Sequence, residues 1–241
     1  MTALYITAEH VRDGRYVGPS LGNVRGDIEI AGNLGLVQFR GSIWASGNIT
    51  AGRGTSIEAA GSIAVGGDIE VSGSITARRR IKAGWDISVG GIISAGTSIH
   101  AGGDIEGAGS MSDGSISAGT IITAGYTIRS GDNITVDGSI LTNGSILAGR
   151  SILAGGSIAS GFGFAGGGSI TAGTGISVRD NIKAAQWISA AWVSAGENIF
   201  AGVNTRRDPR PGEDEIRAEL RGGTIAHGRL VPPAQAEEPA R

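Results

Sequence analysis

Residues 140–158 read Ile140-Leu-Thr-Asn-Gly-Ser-Ile146-Leu-Ala-Gly-Arg-Ser-Ile152-Leu-Ala-Gly-Gly-Ser-Ile158. Isoleucine returns at every sixth place, with a small residue two places after it and glycine just beyond. The same spacing runs upstream through Ile57, Ile63, Ile69, Ile75, Ile81, Ile87, Ile93, Ile99, Ile105 and Met111. After a five-residue step it resumes at Ile116 and continues by sixes to Phe164, Ile170, Ile176, Ile182 and Ile188. A period this short, kept this long, predicts a β-solenoid.

On a strand, residues i and i+2 point the same way, so Ile and the following Ala (Ala95, Ala118, Ala124, Ala172) face inward together. Residue i+1 points outward, and glycine at i+3 or i+4 is expected to turn the corner through backbone angles other residues resist. Three hexads then close a triangular coil of about eighteen residues, stacked at about 4.8 Å per turn. The predicted fold is all-β: a single-stranded parallel β-helix, its hexads running over residues 43–203 in a rod roughly 40 Å long. The five-residue steps after Met111 and Ile188, and the eight-residue step from Ile49 to Ile57, read as local changes at one corner.

The termini differ from this middle. Residues 1–42 carry strand-like pieces, Leu4-Tyr-Ile-Thr-Ala and Asp27-Ile-Glu-Ile-Ala, and read as a cap over the unpaired edge of the first coil. Residues 202–241 hold 14 of the chain's 42 charges and five of its six prolines. The segment 204–241 therefore reads as charged and proline-rich. Ile216–Leu220 and Thr224–Val231 could form a closing strand or short helix, and disorder is expected from Pro232 onward.

Forty-four glycines without a three-residue period exclude collagen, and the strict isoleucine phase argues against disorder. A net charge of −2 supplies no global field for nucleic acid or an anionic membrane. No apolar run reaches the roughly eighteen residues a membrane helix needs, and no signal peptide is readable, so a cytoplasmic location is expected. There is no cysteine, which excludes disulfides and thiol chemistry.

Stacking at eighteen residues puts Asp68, Asp86 and Asp104 in one column, with Glu70, Ser88 and Glu106 in the next. Such carboxylates could share a calcium ion or act as acid and base on a glycoside, but a solvated acidic stripe is the simpler reading. Arg78, Arg79 and Arg80 occupy a corner, with Lys82 outward beside it. These cations could hold a phosphate or a partner's acidic face; neutralising the acidic stripe one hexad away is the expected role. His10, His100 and His227 are too scattered to form a zinc site or a catalytic base. Gly161-Phe-Gly-Phe-Ala-Gly166 matches the dinucleotide fingerprint only by letter, since no helix is readable after it. The outward threonines Thr76, Thr123, Thr135 and Thr171 are not expected to form a continuous rank, which disfavours ice binding. No metal, cofactor or catalytic residue is expected.

Leu141, Leu147 and Leu153 all take the outward i+1 position in three consecutive hexads, ringing one coil. Phe162, Trp187, Trp192 and Phe200 follow, while the first half of the rod reads as outward Ser, Glu and Lys. Exposed apolar area of this kind marks an interface. Leu141, Leu147, Leu153, Trp187, Trp192 and Phe200 are therefore the expected interface residues.

The placing of Ala at i+2 with Gly after it, in phrases such as Gly67-Asp-Ile-Glu-Val-Ser-Gly-Ser-Ile75 and Ile99-His-Ala-Gly-Gly-Asp-Ile105, resembles bactofilins and the flagellar-assembly-protein-A-like family. The resemblance covers most of residues 43–201 and implies a right-handed bacterial β-helix that polymerises. Glycine content is higher and the run of coils longer than in bactofilins. The expected function is a non-enzymatic, self-associating structural scaffold whose partner is itself, through lateral packing into a homo-oligomer. A phage or bacterial inhibitor or adaptor that binds another protein through the rod surface is the alternative. A hexapeptide-repeat acyltransferase is disfavoured by the phase of the hexad and the scarcity of histidine.

Overall fold

The computed structural model describes residues 3–107, 115–118, 120–124, 127–203 and 211–231. Through the middle of the chain, short strands such as Ile43–Ala45, Ile49–Ala51, Ile69–Val71 and Ile182–Ala184 each pair in parallel with the strand three places along. Ile69 lies beside Ile87 and Ile87 beside Ile105, so one turn takes 18 residues. The molecule is an all-β solenoid of about ten turns, as the hexad predicts. Met111 lies outside the described residues, as do 204–210 and 232–241.

Three strands per turn give three faces. Face one stacks Leu4–Ile6, Ile28–Ile30, Ile49–Ala51, Ile69–Val71, Ile87–Val89, Ile105–Gly107, Ile128–Ser130, Ile146–Ala148, Phe164–Gly166 and Ile182–Ala184. Face two runs from Gly35–Phe39 through Thr55–Ala59, Ile75–Ala77, Ile93–Ala95, Ile116–Ala118, Ile134–Val136 and Ile152–Ala154 to Ile170–Ala172. Face three runs from Ile43–Ala45 through Ile63–Val65, Ile81–Ala83, Ser98–Ala101, Ile121–Ala124, Ser139–Thr142 and Ile158–Ser160 to Gly175–Val178.

The core follows directly from this stacking. Ile69, Ile75, Ile81, Ile128, Ile134 and Ile140 are all fully shielded, and Val71, Ala77 and Ala83 beside them nearly so. Each buried isoleucine contributes about 1.5–3 kcal/mol relative to exposure, so a rank repeated at every turn offsets the entropy of ordering a thin rod.

The corner glycines do a different job from the one expected of them. Among the described residues, no glycine between 55 and 201 has a positive φ. What glycine supplies there is the absence of a side chain. A Cβ on Gly84 would drive into the carbonyl oxygen of Gly66 in the turn below, and one on Gly102 into that of Gly84. Positive φ appears only toward the ends, as at Asp13 (50°) and Gly14 (73°). These two form the tight turn of the antiparallel hairpin joining Val11–Arg12 to Arg15–Tyr16.

Parallel stacking extends beyond 43–203 at both ends. Leu4–Ile6 and Ile28–Ile30 head face one, and Arg15 of the hairpin pairs with Gln38 on face two. At the other end, the 13-residue strand Ile188–Phe200 bends round all three faces, pairing in turn with Ile170, Ile176 and Ile182. Glu215–His227 follows it round, and Arg229–Val231 adds the last pairing. Leu230 stacks on the buried Ile216, at a core position that is 43% exposed.

Candidate interaction surface

Immediately before most core isoleucines stands a serine, aspartate or asparagine whose contact with the next turn the hexad reading did not assign: Asn48, Asp68, Ser74, Asp86, Asp104, Asn133, Ser151 and their equivalents. Its side-chain oxygen accepts the backbone N–H of the same position one turn on. At the corner between faces three and one, the N–H of Asn48 donates to Oδ1 of Asp27 (2.7 Å) and that of Asp68 to Oδ1 of Asn48 (2.8 Å). The N–H groups of Asp86, Asp104 and Thr127 donate in turn to Oδ1 of Asp68 (3.0 Å), Asp86 (2.8 Å) and Asp104 (2.6 Å). Serine does the same at the other corners. Ser56 accepts from Ser74, Ser42 from Ser62, and Ser139 from Ser157.

The expected column of Asp68, Asp86 and Asp104 therefore exists, and one oxygen of each carboxylate is used in this ladder. Among the described residues, no group of three or more His, Cys, Asp or Glu is placed to hold a metal ion. On face one, Glu70, Ser88 and Glu106 form the neighbouring outward column, followed by Arg129.

The basic corner lies on the opposite side of face three. Arg78, Arg79 and Arg80 join face two to Ile81–Ala83, and Lys82 points outward from that strand. None of the four makes an ion pair with a described residue, so the expected neutralisation of the acidic stripe by direct contact does not occur. The strand Ile81–Ala83 lies between the two corners, with Arg78–Arg80 before it and Asp86 after it. Face three thus separates an acidic edge from a basic one.

The expected apolar residues distribute differently from a single patch. Leu147 lies on face one, Leu153 on face two and Leu141 on face three. They do ring one coil, with Leu141 and Leu153 exposed and Leu147 half-buried, but no flat partner reaches all three. Trp187 is an exposed corner residue, and Phe200 is half-buried where face one ends. Trp192 is largely occupied within the chain. A Cβ on Gly175 would collide with its indole, and the Arg221 guanidinium sits 5.1 Å over its ring.

The first half, expected to present mostly outward Ser, Glu and Lys, also presents large apolar side chains. Trp44 is 50% exposed and Trp85 65%, against 47% for Leu153. Trp44 projects from the middle of face three. Trp85 stands at the acidic corner, stacked between Gly67 and Gly103, neither of which has a side chain to cover it. The i+1 position of Trp44 after Ile43 was a readable signal for exposure; the placement of Trp85 required knowing the corner.

The remaining candidates stay apart. His10 hydrogen-bonds Thr7 (3.2 Å), His227 Nδ1 lies 2.6 Å from the carbonyl of Ala201, and His100 stands exposed beside Lys82. Gly161–Gly166 forms a corner and a strand with Phe164 buried in the core, so no nucleotide-binding turn exists there. Three of the four threonines do align: Thr76, Ser94, Ser117, Thr135, Leu153 and Thr171 follow one another along face two, whereas Thr123 is on face three. That column is hydroxyl-bearing except at Leu153, a rank more continuous than the threonines alone indicate. Among the described residues, no helix is long and apolar enough to cross a membrane. Comparison with protein-family models, with curated proteins and with solved structures finds no match.

Proposed function

We propose that this protein is a non-enzymatic structural scaffold, a rod that works by associating with copies of itself. The observation that carries this reading is the exposure of large aromatic side chains on a rod whose inward isoleucine rank is buried turn after turn. Trp44 and Trp85 are held out by strands and corners that have fully buried aliphatics to spare for the interior. Tryptophan contributes most of its apolar area only when a second surface covers it, and it is among the residues that dominate protein interfaces. The sequence likeness to polymer-forming bacterial β-helix proteins supports the same reading. So does the axial regularity of the rod, whose outward columns repeat every turn and suit repeated lateral contacts. Of the expected interface residues in the second half, Leu141 adds an exposed apolar side chain to the same face as Trp44, and Leu153 adds one on face two.

Light scattering on the full chain across a hundredfold range of concentration tests this. A defined oligomer or larger assembly is expected. A protein that remains monomeric at the highest concentration overturns the reading, and stable capture of a different protein by a monomeric rod would replace it with the adaptor alternative.

A further inference from the structure

We propose that the self-associating surface is face three, and that two copies meet there in parallel, about a two-fold axis running along the rod. This rests on the self-association reading above and names its geometry. The basic corner of each copy then meets the acidic corner of the other.

The charges choose the axis. Face three is bounded by Arg78, Arg79 and Arg80 on one edge and by Asp68, Asp86 and Asp104 on the other. Neither set is paired across the face within the chain. When two such faces meet, a two-fold axis along the rod exchanges left and right edges but preserves height. A two-fold axis across the rod preserves the edges and reverses height, placing arginine over arginine. Only the first arrangement brings opposite charges together.

The heights also match. Arg78–Arg80 lead into the strand Ile81–Ala83, and Asp86 follows it in the same turn. Asp68 and Asp104 stand one turn below and one above, at a spacing of about 4.8 Å. In the parallel pair the three guanidiniums face the centre of the three-carboxylate column. One oxygen of each carboxylate is held by the backbone ladder, which fixes the acidic column in place and leaves the other oxygen for the partner's guanidiniums.

The middle of the face fits the same axis. Trp44 lies at the centre of face three, so rotation along the rod brings it to its own counterpart, covering the indole on both copies. Small outward residues follow at Ala64, Ala159 and Ser177, allowing close approach. Lys82 is also central, and its long stem lets the ammonium turn aside to the second copy's acidic edge. About ten turns at about 4.8 Å, on a face roughly 18 Å wide, offer on the order of 800 Å² per copy, the size of a standard stable interface.

Two sets of variants of the full chain test the proposal. Asp68→Asn, Asp86→Asn and Asp104→Asn together remove the charge but retain the ladder acceptor, as Asn48 does in the same column. This variant is expected to keep the wild-type melting temperature and to raise the dimer dissociation constant by about tenfold or more. The second set exploits the absence of native cysteine. His100→Cys and Ser177→Cys, each made alone, sit on face three four turns apart. A parallel pair brings each to its own counterpart, so both variants should form disulfide-linked dimers on mild oxidation, whereas Leu153→Cys on face two should not. In an antiparallel pair at most one of the two can link. An oligomer that resists the asparagine substitutions, or in which only one or neither face-three cysteine links, overturns the proposal but leaves self-association standing. A monomeric wild type overturns both.

Discussion

The two halves of this rod share one core and differ at their edges. From Asp27 to Asp104 the corner ladder between faces three and one is built from aspartate and asparagine. From Asn133 to Ser169 an equivalent ladder at another corner is built from asparagine and serine. All three residue types place an oxygen where the next turn's N–H needs it, so the hydrogen bond does not require a charge. The carboxylates of the first half thus exceed what folding asks for. In the second half, by contrast, the buried Asp132 is matched within the chain. It lies 3.1 Å from Nε of Arg150 and accepts a hydrogen bond from Ser115. Asp132 is thus paired within the chain, whereas Asp68, Asp86 and Asp104 on one edge and Arg78, Arg79 and Arg80 on the other make no ion pair with a described residue.

The largest effect should be blind to this difference. Ile69→Asp and Ile134→Asp place a carboxylate without partners in the same thin core, at a cost of several kcal/mol each. Both are expected to abolish the cooperative melt seen by circular dichroism. A rod that survives either substitution would refute the shared-core half of the comparison.

Next come substitutions that act locally. Gly84→Ala forces a methyl group into the carbonyl of Gly66 and should cost about 1–3 kcal/mol, measured by denaturant unfolding. Gly163→Ala, which meets nothing within 4 Å, should stay within about 0.5 kcal/mol of wild type. Equal effects at the two glycines would mean that close stacking is not why glycine is there. Arg150→Ala should destabilise by about 1–3 kcal/mol, because it takes the guanidinium away from the buried Asp132 carboxylate. Arg79→Ala, which loses no ion pair among the described residues, should change monomer stability little.

Smaller still is the ladder itself. Asp86→Ala removes one acceptor and should cost about 0.5–1.5 kcal/mol, and Ser151→Ala should cost about the same. Asp86→Asn should be nearly neutral in a thermal melt. If Asp86→Asn destabilises as much as Asp86→Ala, the charge has a folding role after all. The smallest expected effect is that of calcium. Micromolar calcium should leave the melting temperature within a degree or so, and a rise of many degrees that Asp86→Asn removes would turn the acidic column into a cation site.

Much of the solenoid was legible because its signal is local and repeated. An aliphatic residue every six positions can satisfy its burial at every turn only in a coil of that pitch, and the alternation around it sets which side chains point out. The Asp68, Asp86 and Asp104 column followed from the same count. The ladder did not, although its signal is present in the serine, aspartate or asparagine that precedes most core isoleucines. It escaped because a hydrogen bond to the next turn is visible only when two turns are stacked. The role of the corner glycines escaped for the same reason, since the atom they make room for is a carbonyl eighteen residues earlier. Leu141, Leu147 and Leu153 were correctly read as ringing one coil, and their separation onto three faces is the other side of that same fact.

By itself, then, the order of residues determined the period, the inward rank and the outward columns of this protein, because each depends only on spacing along one strand and one corner. The tertiary structure decided which columns share a face, which corners are opposed in charge, and which glycines, serines and tryptophans serve the neighbouring turn. Those properties belong to contacts between turns, and no single hexad contains both partners of such a contact.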